Sequence, residues 1–150
     1  TKLYNELLHV PLLIYHPNIK SQNITTPVEL LDIPPTILDI FNFNQIENFL
    51  GESLIDEIKM KPIISEVSNL TNKWEIDLDV RKTSCILGDW KYIMGQKKSG
   101  ELYNLKEDPR ELDNLIDSTP QLKKEFEGII KNHLAKHKPM FKNSDYTNKS

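Results

Sequence analysis

The sequence predicts an α/β (α+β) fold: a strand and helices, then a small antiparallel sheet packed against a C-terminal helix. Three observations predict it. A short apolar run near the start, Val10 to Tyr15, is closed by Pro17 and has the pattern of a strand buried on both faces, as in a parallel sheet. Residues between 62 and 105 fall into short alternating runs separated by turn signals, the pattern of an antiparallel meander. Leu122, Phe126, Ile129, Ile130 and His133 form one stripe at helical spacing.

In chain order, "LYNELL" (3–8) allows a helical turn before the first strand. Thr26 and Pro27 suit an N-cap and a first helical position, so a helix is expected to open there. Pro34 and Pro35 break it, because neither supplies the amide hydrogen a continuing helix needs. A second helix is expected from the prolines, capped by Asp32, with Ile33, Ile37, Ile40 and Phe41 on its buried face. Residues 44–61 are expected to be a loop and a weak helical turn punctuated by Gly51. "PIISEVSN" (62–69) reads as a strand, and Trp74, Ile76, Leu78 and Val80 alternate as in another. "LGDW" is a turn, and Cys85–Leu87 before it a short strand. Trp90, Tyr92 and Met94 begin a hairpin that returns through Leu102 to Leu105. Thr119 and Pro120 open the last helix, over about 119–137. The first strand wants a parallel partner that the rest of the sequence does not offer.

Composition narrows the function classes. The chain has 150 residues and a formal net charge of -3, with lysines scattered and only the tail carrying Lys136, Lys138, Lys142 and Lys149. That leaves no electrostatic footprint for nucleic acid. No apolar run approaches a membrane span. The opening segment lacks the basic region and cleavage site of a signal peptide and reads like the middle of a protein. A single cysteine, Cys85, excludes an internal disulfide and fits a reducing, cytoplasmic compartment.

The candidate chemical residues are few. "ELYNLKEDPRELDNL" (101–115) gathers Glu101, Glu107, Asp108, Glu111 and Asp113, a cluster that could hold a metal or pair acids for catalysis. The residues favour a corner instead: Asp108 and Pro109 set a turn, Glu111–Leu115 makes a helical turn with Leu112 and Leu115 on one face, and the acids face water. His133 and His137 are spaced i, i+4, a geometry that suits zinc, but lack an evident third ligand. His9 and His16 flank the first strand, His16 at the end where α/β proteins bind ligands. Cys85 reads as a small buried hydrophobe, Trp74 and Trp90 as apolar fillers, and Lys2 as a surface amine able to reach an anion. No catalytic, substrate-binding or metal residue is assigned from them.

"LYNELLHVPLLIYHP", "VELLDIPPTILDIF", "GESL", "DWKYI" and "ELYNLKEDPRELDNL" resemble, in that order, the C-terminal part of sulfatases of the alkaline-phosphatase-like superfamily. The resemblance implies that residues 1–60 close a large α/β domain and residues 61–150 form a small C-terminal subdomain, an antiparallel sheet against a helix. It implies a full-length parent that hydrolyses sulfate esters with a formylglycine nucleophile and a divalent cation, calcium in most members. Cys85 lacks the proline and arginine of the family's nucleophile motif, and the family's metal ligands lie upstream of Leu3. The family's sulfate-contacting lysine falls immediately before Thr1, so Lys2 does not take that role. This chain alone is therefore expected to bind no cation and to be inactive, the sulfate ester being a partner of the parent. Two alternatives stay open. One is a phosphodiesterase or phosphotransferase of the same superfamily. The other is a non-catalytic module that associates through the Val10–Tyr15 strand.

Overall fold

The computed structural model describes residues 2–44, 46–47, 49–55, 58–70, 76–95 and 100–137, with the side chains of 68–70 and 76–81 outside the description. The elements are α1 (Asn5–Leu8), a 3-10 turn (Leu30–Asp32), α2 (Ile33–Ile40), β1 (Ile63–Leu70), β2 (Ile76–Leu87), β3 (Trp90–Met94), β4 (Gly100–Asn104) and α3 (Pro120–Lys136). The chain divides into two units, one made of Thr1–His9 with Ile64–Ser150, the other of Val10–Ile63.

The first unit is built on a four-stranded sheet in the order β1-β2-β3-β4. β2 pairs with β3, and β3 with β4, antiparallel. Gly88, at φ 58, makes the tight connection between Leu87 and Trp90, which face each other across it. The segment expected as a separate short strand, Cys85–Leu87, is the end of the longer β2. The expected hairpin turn at 96–99 and Trp74 lie outside the described residues.

The register sorts side chains onto two faces, since neighbours along a strand point opposite ways. Cys85, Tyr92 and Leu102 align on one face and meet Phe126 and Ile130 of α3. The helical stripe read from the sequence is the stripe that packs here; the Tyr92 and Phe126 rings lie 6.3 Å apart at 55°. On the other face Ile93 and Tyr103 meet Leu3, with Tyr4 and Leu8 packed around them. Residues 2–8 thus cover the sheet face opposite α3.

The second unit departs from expectation in three places. Residues 10–16 form no strand, and Val10, Leu13 and Tyr15 are 63%, 92% and 87% exposed. A two-sided strand exists only with ladder partners, and none of the four strands of the sheet is this segment. The helix expected at Thr26 is reduced to the 3-10 turn, because the stretch between Pro27 and Pro34 is too short to propagate one. α2 forms from the prolines as expected, but Ile37 and Phe41 of its expected buried face are exposed, while Pro35 and Thr36 are buried. No side-chain cap comes from Asp32, which is occupied elsewhere.

Candidate functional site

The sheet face covered by residues 2–8 carries a buried polar cluster. β3 places Lys91 with its side chain 0% exposed, and its ammonium meets Glu111 Oε1 at 2.7 Å. Lys91 Nζ also donates to Asn5 Oδ1 at 2.9 Å, and the Asn5 N–H donates to Glu111 Oε2 at 2.5 Å. Beside them, the Tyr4 and Tyr103 hydroxyls both donate to Glu101 Oε2, each at 2.9 Å. Burial holds the Lys91 ammonium below the ordinary lysine range, although Glu111 and Glu101 pull it upward. The Tyr4 hydroxyl is held above its ordinary value by its bond to Glu101, and the Tyr103 hydroxyl by burial and the same carboxylate. Each carboxylate here is engaged by donors of the fold, so the cluster orients a chain segment and presents no free acid, base or nucleophile.

The acidic corner therefore differs from its expected form: Glu111 is 7% exposed and ion-paired, and Glu101 is half-buried beneath two tyrosine hydroxyls, rather than solvated. Glu107 and Asp113 are exposed, as expected. The stretch 111–115 is not a helical turn. Asp108 Oδ2 accepts the N–H groups of Leu112 and Asp113 at 2.7 and 2.9 Å, and Glu111 adopts φ 55. The chain then runs beside β4, with Leu115 N–H on Leu102 O at 2.8 Å and Leu102 N–H on Asn114 Oδ1 at 2.9 Å. Leu112, lacking a helical face to join, is 79% exposed. Local pattern suggested a helix; pairing with the sheet edge satisfies the same backbone groups and wins.

The second unit holds a smaller cluster around Asp32, which is 1% exposed. Its carboxylate accepts from Glu29 N–H at 3.0 Å, Glu52 N–H at 2.8 Å and Lys61 Nζ at 2.6 Å. Lys61 also pairs with Glu29 at 2.9 Å. Thr36 Oγ1 donates to Asp32 O at 2.5 Å and accepts Leu54 N–H at 2.9 Å. Burial acts to raise the Asp32 pKa, but Lys61 and the two backbone N–H groups outweigh it and hold it below the ordinary 3.8. Burial likewise acts to lower Lys61, and its two carboxylate partners hold it above 10.5. For a depressed carboxylate, the stabilisation is present above the unfolded value and lost as pH falls through the folded one; for a raised lysine it is lost as pH rises through the folded value. This unit is expected to keep the contribution of both groups across neutral pH. It sheds Asp32's share below 3.8 and Lys61's above 10.5. A carboxyl NMR titration of Asp32 with a midpoint at or above 3.8 contradicts this.

The other candidates stay apart. His9 is exposed at the end of α1, and His16 Nδ1 accepts the Asn18 N–H at 3.3 Å. His133 and His137 lie 4.5 Å apart as tilted rings, with His137 Nδ1 3.1 Å from the His133 carbonyl rather than facing a common point. Burial pushes the Cys85 thiol up to about 12, the value of an inert core cysteine. Trp90 packs against the α3 side of the sheet, and the exposed Lys2 ammonium stands 5.7 Å from the Tyr4 ring centroid. Among the described residues, no three His, Cys, Asp or Glu side chains gather to hold a metal ion, and no helix is long and apolar enough to cross a membrane. Sequence reasoning missed Lys91, Asn5 and Asp32 as members of these clusters. The available signal was a charged residue in the middle of an apolar strand, "DWKYI".

Known proteins share this architecture. A family model described as "N-sulphoglucosamine sulphohydrolase, C-terminal" matches residues 1–139. Arylsulfatase K of Danio rerio is 31% identical over 137 residues, covering 82% of this chain and 25% of its own length. The uncharacterized sulfatase YidJ of Escherichia coli (strain K12) is 27% identical over 120 residues, 77% of this chain and 23% of its own. The structure of BT4656, solved in complex with its substrate D-glucosamine-2-N,6-O-disulfate, aligns with TM-score 0.57 at 19% identity, over 76% of this chain and 25% of that one. The chain thus spans about a quarter of the length of the curated relatives it matches.

Proposed function

We propose that this chain, which belongs to the sulfatase family as its N-sulphoglucosamine sulphohydrolase C-terminal portion, completes an enzyme that hydrolyses sulfate esters. The observation that carries this reading is the family match across residues 1–139, with the sulfatases of similar sequence beside it. The exposed apolar side chains of the Val10–Ile63 unit, among them Val10, Leu13, Tyr15, Ile37 and Phe41, support it: they are surface that a larger α/β domain would bury. The divalent cation such an enzyme uses, calcium in this reading, would polarise the sulfate oxygens. The described residues of this chain do not fit it, so no step is assigned to them. Their part is to build and hold the subdomain on which the enzyme closes.

The test compares the full-length protein with the 150-residue chain on an aryl sulfate in the presence of calcium. The full-length protein is expected to release sulfate and to lose that activity with a chelator; the chain alone is expected to give none. Turnover by the chain at matched purity overturns the assignment of its role. Cleavage of phosphate esters in place of sulfate esters by the full-length protein overturns the assignment of the reaction.

A further inference from the structure

We propose that Lys91 and Glu111 act as a charged latch that sets the position of residues 2–8 on the sheet, with the turn around Asp108–Asp113 as its frame. Nothing in this depends on which ester the full-length protein cleaves. A buried Lys–Glu pair adds little stability over apolar residues of similar volume, and its best-attested use is to fix register. Register is what the segment lacks by itself. α1 has four residues and no side-chain cap, far below the length at which a helix sustains itself. Leu3 is buried, but an apolar contact alone does not fix orientation.

The latch grips Asn5 from two sides with opposite polarity. Glu111 accepts its backbone N–H, and the Lys91 ammonium donates a hydrogen bond to its side-chain oxygen. A slip by one residue would set the Glu6 carboxylate beside that of Glu111, a like-charge contact, or would pull Tyr4 away from Glu101. The frame is itself strained. Glu111 adopts φ 55, a left-handed value uncommon for a residue with a side chain. Asp108 holds it there by accepting two N–H groups of the turn. An outlier whose own carboxylate makes the central contact points to a function for the strain.

The experiment reads amide hydrogen exchange at Asn5, with Tyr92 and Ile93 as references, together with the melting temperature of the chain. The double variant Lys91→Met/Glu111→Leu is expected to melt close to the parent while Asn5 exchanges at least about tenfold faster. Glu111→Gln, which keeps an acceptor oxygen but leaves the buried Lys91 ammonium without its counter-charge, is expected to lower the melting temperature and to speed exchange at Asn5. Unchanged Asn5 protection in the double variant overturns the proposal. So does a loss shared equally by Tyr92 and Ile93, since that reports only general destabilisation. If the double variant does not fold, Asp108→Ala decides. It leaves the pair in place and releases the frame, so faster exchange at Asn5 with unchanged reference amides supports the latch, and unchanged exchange at Asn5 overturns it.

Discussion

Lys91→Met lowers the stability of the sheet-based unit by about 3–5 kcal/mol, the range for removing one partner of a buried ion pair. The methionine fills much of the same length but leaves the Glu111 carboxylate, with its side chain 2% exposed, facing only the Asn5 N–H. The loss comes from the stranded charge and not from a cavity, so a second change, Glu111→Leu, is expected to recover most of it. Urea denaturation followed by tryptophan fluorescence measures both. A loss below about 1 kcal/mol for the single variant would place the pair in the solvent-screened class and contradict the burial.

Gly51→Ala is expected to cost about 3 kcal/mol in the Val10–Ile63 unit, at the upper end of overpacking. A β-carbon at Gly51 would overlap the Leu31 carbonyl and lie 2.6 Å from the Asp32 nitrogen. Both are backbone, so no rotamer change relieves the clash. The segments must part, and Glu52 N–H then loses the Asp32 carboxylate and Leu54 N–H the Thr36 hydroxyl. Exchange at the Glu52 and Leu54 amides measures it. Protection equal to that of the parent would show that the backbone accommodates the methyl group.

Several motifs that carried the sulfatase resemblance meet one another in the fold. "DIPPT" and "GESL" meet through Asp32, Thr36 and the close approach of Gly51. "DWKYI" and "DPRELDNL" meet through Lys91 and Glu111. "ELYNL" meets the start of the chain through Glu101 and Tyr4. These motifs meet in pairs through polar contacts and a close backbone approach, each within its own unit. The acidic corner read as a solvated turn proves to be partly that, at Glu107 and Asp113, and partly a buried anchor, at Glu111.

The sequence by itself determined the family, the hairpin through Gly88, strands β3 and β4, and helix α3 with Phe126 and Ile130 inward. The family rests on a resemblance of motifs; the elements rest on local signals: a period of two, a period of 3.6, a turn residue, a proline at a helix start. Only the tertiary structure decided which charges are buried and which apolar side chains are left uncovered. Glu111 reaches Asn5 across 106 positions, and Lys61 reaches Asp32 across 29. A charged residue carries no periodicity that tells a solvated face from a buried pair. The Val10–Tyr15 run, conversely, has the composition of an interior strand, yet a strand needs ladder partners, and this segment is not among the strands of the sheet.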